Sequence, residues 1–206
     1  MTGRRSQAER SAETIGNLVE ATIDAIADVG YHRTSLNEVC ARAHVSRGGL
    51  FRHFSSRLDL VVAAAEEVGR RHVSGFRDQF AAGEVDGIDG AVRYVRNAIR
   101  ERTNAVWFEL LVAARTDAEL RERLAPVAEA MFAGIEANAL RLISADRPDP
   151  EFLRLLTTSL IHLFDGEAIF RITYPRPELE HARLELTVQA LEGLRARARR
   201  RDAGAE

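Results

Sequence analysis

Residues 34–57, TSLNEVCARAHVSRGGLFRHFSSR, constrain the fold more tightly than any other stretch, because two helix starts and a sharp corner fall within them. Ser35 and Glu38 have the S-x-x-E spacing of a capping box, in which each side chain takes up the backbone N–H at the other's position, so a helix starts at Leu36. Val39, Cys40 and Ala43 give it a narrow apolar stripe, and it ends near Ala43 and His44. Val45 fills the corner. Ser46 is the next N-cap, and the helix it opens buries Leu50 and Phe54, one turn apart, while Arg47, Phe51 and Arg52 point elsewhere.

Two short helices joined by a tight turn make a helix-turn-helix unit, whose second helix enters the DNA major groove by its N-terminal end. Arg47, Gly48 and Gly49 occupy that end. The two-pronged head of Arg47 has the shape to read guanine O6 and N7, and the glycines let backbone and groove come close. Gly-Gly there costs about 1 kcal/mol per residue in helix propensity, which fits either close approach or a frayed end. From this stretch alone, an amphipathic surface helix with a solvated arginine face describes Ser46 to Phe54 as well as a DNA reader does.

The wider run GYHRTSLNEVCARAHVSRGGLFRHFSSRLDL resembles the DNA-binding signature of the TetR (tetracycline-repressor-like) family of bacterial transcriptional regulators. It carries G-Y-x-x-T, then V-S-x-G-x-L-aromatic-x-H-F, then a basic residue, in that order. Farther on, WFELLVAARTDAELRERLAP resembles a stretch of the family's regulatory domains. The resemblance implies an all-α fold: a three-helix helix-turn-helix head over residues 1–56 and a helical ligand-binding and dimerisation domain over 57–206. The DNA-facing set carried onto these positions is Ser35, Asn37, Ser46, Arg47, Gly48, Gly49, Phe51, Arg52, His53 and Arg57, with Arg57 gripping a phosphate at the start of the fourth helix. Four positions depart from the family pattern: His44 stands where the turn usually has Gly, Cys40 replaces Ala, Phe51 replaces a Tyr whose hydroxyl meets a phosphate, and Gly49 replaces Thr or Ala. His tolerates positive φ better than most residues, so the turn is expected to survive.

Composition fits a cytoplasmic protein without selecting this one. At 206 residues, with 46% apolar and 29% charged side chains, the chain suits one or two domains and can bury a real core. Net charge is only −2, yet between Tyr31 and Leu58 five arginines (33, 42, 47, 52 and 57) face the single acid Glu38. Local sign matters more than the total. A lone cysteine excludes an internal disulfide framework, and neither a signal peptide nor a membrane-length apolar run is evident.

Ahead of the head, a polar arm carrying Arg4, Arg5 and Arg10 is expected to be mobile. Ile15, Leu18, Val19, Ile23, Ile26 and Val29 then recur at helical spacing over Ala12 to Val29, with Gly30 at the C′ position. Ile23, Ile26, Val39, Leu50 and Phe54 are the expected core of the head. A fourth helix, capped by Ser55 or Ser56, runs through Val61, Val68, His72, Phe76 and Phe80. Gly83 to Gly90 reads as a loop. Helical periodicity continues to the end of the chain, with a kink or break at Pro126, a strong start at Asp149-Pro150-Glu151 and a turn at Tyr174 to Pro177.

Catalytic and nucleotide-binding fingerprints are absent, so no enzyme activity, cofactor or metal is expected. His162, Asp165 and Glu167 lie close in sequence, but the two acids cannot both share the helical face of His162. Large apolar residues exceed ordinary core needs, and His72, Phe76, Phe80, Trp107, Leu111, Met131 and His162 are the candidate lining of a pocket for a small lipophilic effector. The last two helices are apolar on more than one side, which points to a homodimer; a two-headed reader of DNA half-sites needs the same two-fold partner. The expected function is a ligand-responsive repressor on a pseudo-palindromic operator, with effector bound among helices four to eight displacing the fourth. The rival is an all-helical small-molecule-binding protein or enzyme with a vestigial DNA-binding head, favoured by Phe51, His44 and Gly49.

Overall fold

The computed structural model describes residues 6–142 and 149–203, and among them every regular element is helical. In chain order these are α1 (Gln7–Val29), α2 (Leu36–Ala43), α3 (Arg47–Leu50), α4 (Arg57–Ala81), α5 (Gly87–Arg100), a 3-10 turn (Arg102–Asn104), α6 (Ala105–Ala114), α7 (Ala118–Leu142), α8 (Pro150–Thr173) and α9 (Pro177–Ala203). The chain divides into two compact units, Met1–Arg71 with Arg102–Glu129, and His72–Glu101 with Ala130–Glu206. Both α4 and α7 run from one unit into the other.

In the first unit, α1 begins earlier than its apolar periodicity indicates. Ser6 accepts from the Glu9 backbone N–H at 3.2 Å, and Glu9 Oε2 accepts from Ser6 N at 2.7 Å. This reciprocal box places Arg10 inside the helix, not in a mobile arm; Arg4 and Arg5 lie outside the described residues. Leu18, Ile23 and Ile26 on α1 are buried together with Val39, Leu50 and Phe54, so the expected core of the head is the observed one. Gly30 ends α1 at φ 82°, where a side chain would be strained. Thr34, buried in the following turn, donates its hydroxyl to the Gly30 carbonyl at 2.9 Å.

The second unit is held by two kinds of contact. Phe76 stacks on Phe80 with ring centroids 6.3 Å apart and meets Tyr94 edge-on at 5.2 Å, with Val85, Ala91 and Leu142 packed around them. At the other end of α5, Arg96 Nε donates to Glu167 of α8 at 2.7 Å, and Arg100 reaches both Glu167 and Glu180 of α9. Arg183 of α9 adds a bond to Glu167 at 2.6 Å. Helix α5 begins at Gly87, within the stretch expected to be loop, because Gly87 at φ 62° starts the turn that the Gly90 N–H closes on Asp86 at 3.2 Å. Pro126 lies inside α7 without ending it. Asp149 caps α8 through the Glu151 N–H at 3.2 Å, with Pro150 at the first helical position, as its sequence predicts.

Candidate nucleic-acid interface

The turn between α2 and α3 is built by its two serines and one histidine. Ser35 Oγ accepts from Glu38 N at 3.2 Å and Ser46 Oγ from Gly49 N at 3.1 Å, so both predicted N-caps are present. Only half of the predicted capping box forms at Ser35, because the Glu38 carboxylate is turned to Arg42 Nε at 2.7 Å. His44 adopts the left-handed conformation at φ 53° and Val45 N donates to the Cys40 carbonyl at 3.0 Å, closing the α2 end without glycine. Both capping hydroxyls are exposed. The cap uses an oxygen lone pair and leaves the proton for an outside acceptor.

Helix α3 is shorter than its sequence indicates: four residues are α-helical, after which Arg52 N bonds to the Gly49 carbonyl at 3.3 Å and the chain continues in tighter turns to Phe54. Its glycines differ. Gly48 is exposed, and a Cβ there would meet nothing nearer than Ser46 Oγ at 4.0 Å. At Gly49 a Cβ would come within 2.9 Å of Val45 Cγ1, so the close approach that this glycine permits is internal, between α3 and the turn.

The five arginines of the basic stretch divide by partner. Arg42 is neutralised by Asp28 at 2.6 Å and Glu38 at 2.7 Å. Arg33 Nε lies back on the Val29 carbonyl at 2.7 Å. Arg57 is half-buried: its Nε donates to the Thr34 carbonyl at 2.9 Å, its Nη2 donates to the Tyr31 carbonyl, and its guanidinium covers the Tyr31 ring at 4.3 Å. That engagement leaves chiefly Nη1 for a phosphate. Arg47 is exposed and donates through Nη1 to the neutral amide of Asn37 at 3.1 Å, while Arg52, also exposed, has no ion-pair partner among the described residues. Phe51, 47% exposed, lies 5.8 Å beneath the Arg47 guanidinium. His53 is half-buried. The turn and its flanks therefore present two uncompensated arginines, two serine hydroxyls and the open backbone at Gly48.

A second set of contacts in this unit escaped sequence reasoning. Tyr31 N donates to Glu109 Oε2 of α6 at 2.8 Å, and Arg102 of the 3-10 turn bonds to Asp24 at 2.7 Å and to Asp28. Asp28 thus bridges Arg42 and Arg102, whose hydrogen bonds, Arg102 first, hold its carboxyl below the usual range. Glu109 and Arg102 lie more than seventy residues from Tyr31, Asp24 and Asp28, and nothing in the local pattern announces them.

Of the predicted effector-lining residues, Trp107 and Leu111 belong to the first unit and His72, Phe76, Phe80, Met131 and His162 to the second. Trp107 is buried and its Nε1 has no hydrogen-bond partner; Leu111 is 53% exposed. Phe76 and Phe80 pack in the aromatic cluster already described, while His162 is exposed and meets Phe132 edge-on at 6.3 Å. No helix among the described residues is long and apolar enough to cross a membrane.

Residues 18–64 match the family model for bacterial regulatory proteins of the tetR family. An HTH-type transcriptional regulator of Mycobacterium tuberculosis (strain ATCC 25618 / H37Rv) is 39% identical over 189 residues, which cover 91% of this chain and 97% of that one. Among solved structures, a transcriptional regulator from Rhodococcus sp. Rha1 superposes with a TM-score of 0.64 at 25% identity, over 87% of this chain and 96% of that one. The multidrug binding protein EbrR complexed with imidazole gives 0.59 at 27%, over 85% and 93%. The half-box at Ser35, the left-handed His44 and the exposed Arg47 and Arg52 at and after α3 are thus this chain's version of a shared head, and the chain belongs to the tetR family of bacterial regulatory proteins: it is a DNA-binding transcriptional regulator, not an enzyme.

Proposed function

We propose that this chain is a cytoplasmic repressor that binds a pseudo-palindromic operator as a homodimer and leaves it when a small lipophilic effector binds. The observation that carries the reading is the pair Arg47 and Arg52, exposed and without carboxylate partners, the first opening a helix whose N-cap and turn are intact and the second in the turn that follows it. Uncompensated guanidinium groups beside capping hydroxyls suit a phosphate backbone flanking a major groove. Of the DNA-facing set read from the sequence, Ser35, Asn37, Ser46, Gly48, His53 and Arg57 stand around the two arginines, while Gly49 faces Val45 and Phe51 supports Arg47 from beneath, and residues 1–56 form the operator-binding part of the chain.

Helices α8 and α9 support the dimer. Phe152, Leu155, Leu163 and Phe170 on one face of α8, and Leu179, Leu186 and Leu194 on one face of α9, are all exposed. Gly166 and Ser159 sit within the α8 face, and a Cβ at Gly166 would meet nothing, which leaves room for close approach of a second helix. Two such faces from two copies match the isologous packing of a two-fold interface. For the effector, the unpartnered indole N–H of the buried Trp107 offers a donor, and the similarity to a multidrug binding protein supports a small-molecule ligand. An effector that binds the DNA-incompetent state about 100-fold more tightly shifts the equilibrium by about 2.7 kcal/mol, enough to release the operator.

Mobility shift of the chain's own upstream DNA, titrated with salt, tests the reading. Retardation that weakens steeply with salt is expected. A folded dimer that retards no duplex at low salt would instead favour a helical binding protein with a vestigial head.

A further inference from the structure

The arginines between Tyr31 and Leu58 are neutralised, tucked onto backbone carbonyls, or left outward, and among the described residues of that stretch Arg47 alone is held by a neutral side-chain acceptor from the other helix of the turn. Asn37 Oδ1, on α2, accepts from Arg47 Nη1 at 3.1 Å. Phe51, one turn along the chain, places its ring 5.8 Å below the same guanidinium. We propose that Asn37 and Phe51 are positioning residues for base reading: they fix the direction of Arg47 before DNA arrives, and so determine which base pair it reads. This inference rests on Arg47 being a base reader.

The chemistry of the two supports suits that task. A carboxylate at position 37 would also hold Arg47 but would cancel its charge, as Asp28 and Glu38 do for Arg42. A carboxamide accepts one N–H and leaves the positive charge and the remaining N–H groups for guanine. The phenyl ring adds a flat support that restricts the plane of the guanidinium without competing for its protons. This gives Phe51 a function that does not need a hydroxyl. An arginine with its rotamer chosen in advance loses less conformational freedom on binding. Neither the Asn37 nor the Phe51 side chain caps a helix: Ser35 and Ser46 are the N-caps, and Phe51 closes the end of α3 through its backbone N–H, which every variant with an ordinary residue there keeps.

Selection of duplexes from a pool with a randomised core, by the full-length wild type and by Asn37→Ala, Phe51→Ala, Arg47→Ala and Asn37→Ala/Arg47→Ala, tests the inference. Wild type is expected to select one motif. Asn37→Ala and Phe51→Ala are expected to lower the preference at the base pair that Arg47→Ala also relaxes, by roughly two- to tenfold, leaving other positions unchanged. Adding Asn37→Ala to Arg47→Ala is expected to change nothing further. Thermal unfolding of Asn37→Ala should match wild type, and Asn37→Asp should weaken binding to every sequence while keeping the order of preference. A uniform loss across sequences on Asn37→Ala, additive with Arg47→Ala, would make Asn37 a phosphate contact and overturn the inference while DNA binding stands. Failure of wild type to select any motif would instead sink the base-reading assignment itself.

Discussion

Arg57 Nε, at the first residue of α4, donates to the carbonyl of Thr34, the residue that leads into α2, at 2.9 Å. With its further bond to the Tyr31 carbonyl and its stacking on the Tyr31 ring, this side chain ties the start of α4 to the α1–α2 turn. The Arg57→Ala variant leaves two half-buried carbonyls without a charged donor, and is expected to lose about 1.5–3 kcal/mol of stability. Denaturant unfolding measures this directly. If Arg57 acts chiefly through this clamp, operator affinity corrected for the folded fraction changes little and the salt slope is unchanged. A fall in the slope by about one would mark it as a phosphate contact instead.

The adjacent glycines of α3 are expected to respond with opposite sign. At Gly48 a methyl group meets open space, so Gly48→Ala gains helix propensity and stabilises the free protein by about 0.5–1 kcal/mol. At Gly49 the same methyl presses on Val45 Cγ1 at 2.9 Å and Ser46 Oγ at 3.3 Å. Overpacking of this kind costs about 1–3 kcal/mol, which exceeds the propensity gained, so Gly49→Ala is expected to destabilise. Thermal midpoints of the two variants measured side by side decide the matter; a stabilised Gly49→Ala would show that Val45 moves aside at no cost.

These contrasts separate what the sequence carries from what it does not. Caps and turns are local, and Ser46, Asp149 and the left-handed His44 are readable because each acts within a few residues of itself. Apolar periodicity sets the start of α1 too late because it begins only after a solvated first turn, although Ser6 and Glu9 mark the true start. Asn37 belongs to the DNA-facing set that the family resemblance implies, but its support of Arg47 needs α2 and α3 in register. The ties of Arg102 to Asp28 and of Arg96 to Glu167 join residues 74 and 71 positions apart, and no spacing rule reaches that far. The effector-lining residues were the least legible, since an aromatic side chain for packing and one for a ligand have the same pattern, and Phe76 and Phe80 are already packed on each other.

Two acids on α8 are expected to give opposite pH dependence. Burial raises the Glu167 carboxyl, but hydrogen bonds from Arg96, Arg183 and Arg100 more than offset this and leave it below its ordinary range. Its folded form therefore binds a proton less readily than the unfolded chain, so its contribution is complete above the usual carboxylate range and is lost as pH falls through the lowered value. Asp165, two residues earlier, is pushed up to about 6 by burial, with His162 opposing weakly. Its carboxylate is a liability that grows as pH rises from about 4 to 6 and is absent below. Replacing Asp165 with Asn is expected to stabilise the protein at pH 7, by about 1–2 kcal/mol after allowance for its partial contact with solvent, and to have no effect at pH 3.5. Replacing Glu167 with Gln should cost about 2–4 kcal/mol at pH 7, because the three arginines around it lose their buried counter-charge, and the cost should shrink in acid. Unfolding midpoints across pH 3.5–8 read both; parallel curves for Asp165→Asn and wild type would remove the assignment for Asp165.

The apolar faces of α8 and α9 lead to the remaining expectation. Phe170 is 71% exposed and Leu186 67% exposed in the single chain, and neither contributes to its core. If a second copy covers them, Phe170→Glu and Leu186→Glu each place a charge in a dry, two-fold interface where it meets its own symmetry mate or lies near it. Either change is expected to give monomers by sedimentation, with helical content and cooperative unfolding of the monomer retained because the core beneath the α8 and α9 faces is untouched. The monomer should bind a single half-site weakly and lose about 100-fold or more against a two-half-site duplex, since the second head no longer binds at high effective concentration. A Glu variant that stays dimeric would move the interface off these faces, whereas one that becomes monomeric yet keeps full affinity would show that one head suffices.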